Sequence, residues 1–249
     1  MSAYGKFKEE CKQEIQKQGD QKILNETSIG WMNEVSKTKY CYHFEWLGRP
    51  IIQYPQDIVA MQELIFKVQP DLIIETGIAH GGSLIFSASM LELNAICGGP
   101  KDAEVLAVDI DIRPHNREAI EAHPMSKRIT MIQGSSIAPE IVAQVKEKAK
   151  CKKKIMICLD SNHTHEHVLE ELKADAPITS IGSYCVVFDT IVEDQPEGTY
   201  PDRPWGPGNN PKTAVWEYLK ANNGFVIDKE MNNKLLITVS PDGYLRREK

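Results

Sequence analysis

The 249-residue chain has no apolar run near the roughly 20 residues that a membrane-spanning helix requires. Its first residues, MSAYGKFKEECKQEIQKQ, are charged and amphipathic, which does not fit a signal peptide. No two of its six cysteines (11, 41, 97, 151, 158 and 185) form a C-x-x-C pair, so they read as reduced thiols, and the expected location is the cytoplasm. Positive charge is also short. Lys and Arg number 29 against 35 Asp and Glu, a net charge of −6, which argues against non-specific nucleic-acid binding. There is no internal repeat and no low-complexity tract. What remains, 41% hydrophobic and 26% charged, fits an ordinary globular protein of one large domain or two small ones.

The chain alternates. Residues 3–18 read as a helix, followed by a polar link, GDQKILNETS (19–28), and a helix from Gln56 to Lys67. Strand candidates then follow at LIIET (72–76), EVLAVDI (104–110), ITMIQG (129–134), KIMICLD (154–160) and SYCVVFD (183–189). Helix-length segments separate them: Ser83–Leu93, Pro114–Ala122, Pro139–Ala149 and Thr164–Ala174. Strands that are almost continuously apolar belong in a parallel sheet covered on both faces, so the pattern predicts a doubly wound α/β fold. FVIDKEM, NNK and LLITVSPDGYLRR read as two further strands joined by a tight turn, an antiparallel hairpin closing the sheet. The Pro- and Gly-rich segment 193–213, which contains Trp205, is long enough to be a lid or binding loop, or is a plain surface turn.

The stretch LIIETGIAHGGSL (72–84) follows the first core strand and opens a helix. Glycines there allow a sharp turn and close approach to a ligand, and a helix N-terminus favours an anion. The spacing Gly77-x-x-x-Gly81-Gly82 departs from the dinucleotide G-x-G-x-x-G. The looser E-x-G-x-x-x-G-x-S, from Glu75 to Ser83, looks like the first motif of class I S-adenosylmethionine (SAM) methyltransferases. Asp109 ends the second strand and suits a ribose, of NAD as well as of SAM; an ordinary strand–turn–helix is the plain alternative.

Asp160 and Asp189 close the fourth and fifth strand candidates. On adjacent parallel strands, roughly 5 Å apart, their carboxylates would converge at the carboxyl edge, a pair of hard oxygen ligands suited to Mg²⁺. Each alone could simply cap a helix. In DSNHTHEH the histidines 163, 165 and 167 raise a competing possibility. His163 and His167 have i, i+4 spacing, and two histidines with Asp160 could form a non-haem iron site. His163 also suits a general base beside Asp160.

LIIETGIAHGGSL, VLAVDID, CLDSNHTHEHVLEEL, SYCVVFDTIVED and RPWGPGNNPKTAVWEYL together resemble the cephalosporin hydroxylase/rhamnosyl O-methyltransferase family, from about Tyr42 to Arg247. The resemblance implies a Rossmann-like methyltransferase domain, expected at 61–249, and residues 1–60 are expected to form an N-terminal helical cap. It implies SAM- and Mg²⁺-dependent methylation of a sugar or natural-product hydroxyl, and a homo-oligomer. Carried over by motif, Glu75, Gly77, Gly81, Gly82, Ser83, Asp109, Ser135 and Asp160 are expected around the cofactor. Asp160, Asp189 and Thr190 are expected at the metal, with His163 as the base. Relatives can have an acid immediately before the second aspartate, where this chain has Phe188. Thr190, Glu193 or water are therefore candidates for the third ligand. A non-haem iron hydroxylase and a non-catalytic SAM-binding protein are the alternatives.

Overall fold

A computed structural model describes residues 2–249. Helix α1 (Ala3–Gly19) starts at Ser2, whose hydroxyl accepts from the Gly5 amide, and it buries none of its residues. The segment expected as a polar link is mostly helix instead. It opens α2 (Lys22–Ser36), which buries Ser28 and Met32 one turn apart and sets Trp31 edge-on to Tyr40 and Tyr54. Too few apolar residues mark its first two turns for the helical period to stand out.

A short hairpin follows, β1 (Phe44–Trp46) and β2 (Arg49–Ile51). Leu47 and Gly48 join its strands, both with positive φ, as a two-residue hairpin turn requires. Helix α3 (Pro55–Val68) carries proline in its first turn, where the missing N–H costs nothing.

The doubly wound part then unfolds in the expected order: β3 (Leu72–Thr76), α4 (Gly82–Ile96), β4 (Glu104–Asp109), α5 (Pro114–Glu121), β5 (Ile129–Gln133), α6 (Pro139–Ala149), β6 (Ile155–Leu159), α7 (His165–Asp175) and β7 (Tyr184–Val187). Helix α8 (Pro211–Ala221), β8 (Phe225–Ile227), α9 (Lys229–Leu235) and β9 (Tyr244–Arg247) complete the chain. The seven-stranded sheet has the order β5-β4-β3-β6-β7-β9-β8. β9 is antiparallel to both neighbours, and the strands from β5 to β7 are parallel.

Strand alternation divides the core between the two faces. Ile73, Val105, Ala107, Met156 and Val186 pack with α3 and α4, while Leu72, Ile74, Leu106, Ile157 and Val187 pack with α6, α7 and α8. The expected C-terminal pair of strands is present and antiparallel, but no tight turn joins it. α9 and an irregular stretch intervene, because Asp228 accepts from the Met231 amide and starts a helix where the sequence reads as strand.

Asp57, in the first turn of α3, is fully buried. It accepts from the Val239 amide (3.0 Å), the Tyr244 hydroxyl (2.8 Å) and the Thr238 hydroxyl. These bonds fasten α3 to the segment leading into β9.

On the opposite face Asp175 is buried with one carboxylate oxygen unpartnered. Burial first, and then the Glu171 carboxylate, push its carboxyl up to about 7. A carboxyl raised in the folded state binds its proton there first. Its contribution therefore favours folding at acid pH and is lost as pH rises from about 4 towards 7, by on the order of 3–4 kcal/mol. Asp175→Asn should flatten that slope. In denaturant unfolding, the stability lost between pH 5 and pH 8 should shrink by about 2–3 kcal/mol relative to the native chain. An unchanged slope would mean that Asp175 does not set it.

Candidate active site

The site lies at the carboxyl ends of β3, β4, β6 and β7, around the point between β3 and β6 where the sheet reverses its winding direction. Gly77 leaves β3 with φ +90°, and its amide donates to the Val108 carbonyl at 2.8 Å. A Cβ here would come within 2.1 Å of the Asp160 carbonyl oxygen, so only glycine lets the two loops touch. Gly82 is equally confined, since a Cβ would meet the Pro50 carbonyl oxygen at 2.2 Å. Gly81 caps the start of α4.

The turn is held from both sides. Arg49 of β2 donates to the His80 carbonyl, and Asn116 of α5 donates to the Ala79 carbonyl. Asp109, at the end of β4, accepts from the Ile78 amide at 2.7 Å and from the Asp111 amide at 2.9 Å. Glu75 is buried beneath the turn and accepts from the Ser83 hydroxyl; burial pushes its carboxyl up to about 7.

A cleft of about 250 Å³ opens above this turn. Its lining includes Gly77, Gly82, Ser83, Asp109, Asp160, His163 and Asp189, together with Tyr42, Pro50 and Gln53 from the N-terminal segment. Ser135 lies outside that lining, half-buried after β5, and its carbonyl accepts from the Ala138 amide.

The pairing of β6 with β7 brings Asp160 and Asp189 together as expected. One ligand atom each from Asp160, His163 and Asp189 lies within 4.8 Å of the others. Neither aspartate's side chain makes a helix-cap bond: Thr164 is the N-cap of α7, and Asp189 stands at the N-cap of a 3-10 helix (Thr190–Asp194) without a side-chain cap bond. Asp189 adopts a left-handed backbone with φ +54°, uncommon outside glycine, which redirects its side chain at the strand end. The Asp160 carboxyl is pushed well above the usual range, by burial first and then by Asp189, Glu75 and Glu171. Gln53 donates its amide N–H to Asp160 Oδ2 at 3.3 Å.

His163 Nε2 stands 3.2 Å from Asp189 Oδ2, and the Trp205 ring packs edge-on to the imidazole at 4.8 Å between centroids. The Trp205 loop is pinned by Glu193, which accepts from the Gly208 amide and from the Asn210 side chain. Glu193 is thus engaged with its own loop. Thr190 is fully buried, donates to the Pro241 carbonyl at 2.6 Å and does not line the cleft.

The histidine pair considered for iron is not assembled. His163 precedes α7, so the i, i+4 relation does not apply to it. His165 contacts Thr213 and Glu217, and His167 contacts Ser136 and Ser161. The three rings therefore serve three different places.

Sequence reasoning missed Tyr42, Arg49, Gln53 and Asn116. No motif marks them, because they reach the site only through packing of the hairpin and α5 on the sheet edge.

Residues 38–248 match the family described as Rhamnosyl O-methyltransferase/CmcI. The chain belongs to that family. A rhamnosyl O-methyltransferase of Mycobacterium tuberculosis is 33% identical over 196 residues, covering 77% of this chain and 73% of that protein. One of Mycobacterium leprae is 31% identical over 208 residues, covering 82% of each. Membership of the rhamnosyl O-methyltransferase/CmcI family makes the chain a methyltransferase, as the motifs implied. Among solved structures, CmcI with Mg and SAM superposes with a TM-score of 0.56 at 20% identity, covering 84% of this chain and 78% of that one. TomG from Streptomyces achromogenes with SAM gives 0.52 at 14%, covering 79% and 81%. At these identities the likeness establishes the Rossmann-like fold. Among the described residues no helix is long and apolar enough to cross a membrane.

Gly77→Ala should be severe. It adds a clash with backbone at 2.1 Å and strains a positive φ, so a loss of about 2–4 kcal/mol in chemical unfolding is expected. A variant within about 0.5 kcal/mol of native would show that the two loops are not in contact.

Proposed function

We propose that the chain transfers a methyl group from SAM to a sugar or glycoside hydroxyl with the help of Mg²⁺. The observation that carries this reading is the meeting of Asp160, His163 and Asp189 beside the glycine turn. The names of the mycobacterial relatives support a rhamnosyl-type acceptor.

The residues fit both groups. Asp160 and Asp189 gather like charge in a confined space, which a hard cation would relieve, and oxygen ligands suit Mg²⁺ better than the imidazoles nearby. The glycine turn, the start of α4 and Asp109 line the cleft together, with an acid placed for ribose hydroxyls. When bound, SAM supplies an electrophilic methyl on sulfonium, and Mg²⁺ supplies Lewis-acid stabilisation of an alkoxide.

The chain's own residues do the rest. Asp160 and Asp189 hold the cation. Tyr42 provides an aromatic face at the cleft for a sugar's C–H surface. His163 Nε2, which stands 3.2 Å from Asp189 Oδ2, takes the proton from the acceptor hydroxyl. Trp205 packs against the ring and limits its rotation. The N-terminal segment acts as a cap by supplying Tyr42, Pro50 and Gln53 to the cleft. Helix α1 supports a homo-oligomer, since it buries none of its residues and exposes Tyr4 and Phe7.

Four substitutions separate these roles. Asp109→Ala should weaken SAM binding by about 1.5–3 kcal/mol in titration calorimetry, and unchanged affinity in a folded protein would remove Asp109 from the cofactor site. Asp160→Ala or Asp189→Ala should abolish turnover on a rhamnoside acceptor while SAM affinity stays within a few fold; chelation should mimic this, and added Mg²⁺ should reverse the chelation. His163→Ala should cut turnover by about 10²–10⁴, with partial recovery at high pH. Full activity after chelation would sink the metal mechanism.

A further inference from the structure

Asp160 and Asp189 supply two protein oxygens to the cation site just described, which leaves room for a third. Phe188, Thr190 and Glu193 do not line the cleft: Phe188 has no ligand atom, Thr190 is turned to the Pro241 carbonyl, and Glu193 Oε2 holds the Trp205 loop. We propose that Gln53 supplies the missing ligand through its side-chain Oε1, which rests on the reading of Asp160 and Asp189 as cation ligands.

Three observations converge on Gln53. Its side chain is buried and lines the cleft with Asp160, His163 and Asp189. Its Nε2 sits 3.3 Å from Asp160 Oδ2. Its Oε1 is buried and has no hydrogen-bond partner among the described residues. A buried amide oxygen left without a donor is costly and uncommon.

The amide's orientation follows from charge. With no cation present, Asp160 attracts the N–H₂ end and repels the oxygen. A cation on Asp160 reverses that preference. Half a rotation about the terminal torsion, which is soft, exchanges nitrogen and oxygen within nearly the same volume. The oxygen then stands where the nitrogen is, about 3.3 Å from Asp160 Oδ2. In that orientation Gln53 Oε1, Asp160 and Asp189 would together offer the oxygen ligands that suit Mg²⁺.

Gln53 lies between β2 and α3, on the segment that also brings Tyr42 and Pro50 to the cleft. Its coordination would tie that segment to the carboxyl edge of the sheet each time the cation binds.

The competing role is a plain hydrogen-bond donor that steadies Asp160. The two predict opposite responses in the full chain, read with Mn²⁺ as probe by paramagnetic resonance and calorimetry, without SAM or acceptor. A donor competes with the cation for Asp160, so its removal would leave Mn²⁺ affinity unchanged or improved. A ligand's removal weakens it. Gln53→Met, of similar volume but without the oxygen, should bind Mn²⁺ at least tenfold more weakly, and Gln53→Glu should bind at least as tightly as native. Mn²⁺ should slow amide hydrogen exchange across residues 49–58 in the native chain and not in Gln53→Met.

Native-like affinity in Gln53→Met, within twofold, overturns the proposal while leaving Asp160 and Asp189 as ligands, provided Asp160→Ala binds weakly. If Gln53→Met does not fold, Gln53→Glu decides: weaker binding than native overturns the proposal, and equal or tighter binding supports it. A native chain that binds no Mn²⁺ overturns both this inference and the metal reading beneath it.

Discussion

Two carboxylates brought into one confined crevice repel each other, and the surroundings must oppose that repulsion. Here the repulsion is built into the topology. β6 and β7 are parallel neighbours, and each ends at an aspartate, so folding of the sheet itself delivers Asp160 and Asp189 to the same point. The parts around them answer that charge. Gln53 turns its donor end to Asp160, and His163 sets a ring nitrogen beside Asp189. The left-handed backbone of Asp189 is the local cost of aiming its side chain from the strand end.

The glycine turn is subordinate to the same crevice. Gly77 matters because the backbone of Asp160 passes against it, and Gly82 because the backbone of Pro50 does. The opening glycine-rich stretch is therefore as much a packing device, where three chain segments touch, as a ligand cradle. Asp109 shares that double character. Its carboxylate orders the turn through the Ile78 amide and also faces the cleft.

The sheet and the carboxylate pair were legible because local pattern and topology agree. Apolar runs of strand length name the five parallel strands, and acids at matching strand ends meet once the strands are neighbours. Legibility failed where tertiary contacts override local pattern. The first turns of α2 look polar because the helix buries so narrow a stripe, only Ser28 and Met32. A helix at 229–235 takes the place of the strand end and tight turn read there, since Asp228 caps it. The histidine triplet looks like one cluster in one dimension, yet a loop before α7 sends the rings apart. Gln53 and Arg49 carry no signal at all, because their positions depend on a hairpin docking against a sheet edge distant in sequence.

β9 lies between β7 and β8 although it follows β8 in the chain. During synthesis β8 therefore has no strand to pair with until a later segment has emerged and been inserted. The bonds from Val239 and Tyr244 to Asp57, the last spanning 187 residues, hold the start of α3 and with it the neighbouring Gln53. A nascent chain can form the glycine turn early, but the wall opposite it waits for β9. Closure of such long-range contacts is slow. Until β9 is inserted the edge of β7 is unpaired, the kind of edge on which another chain can add a strand.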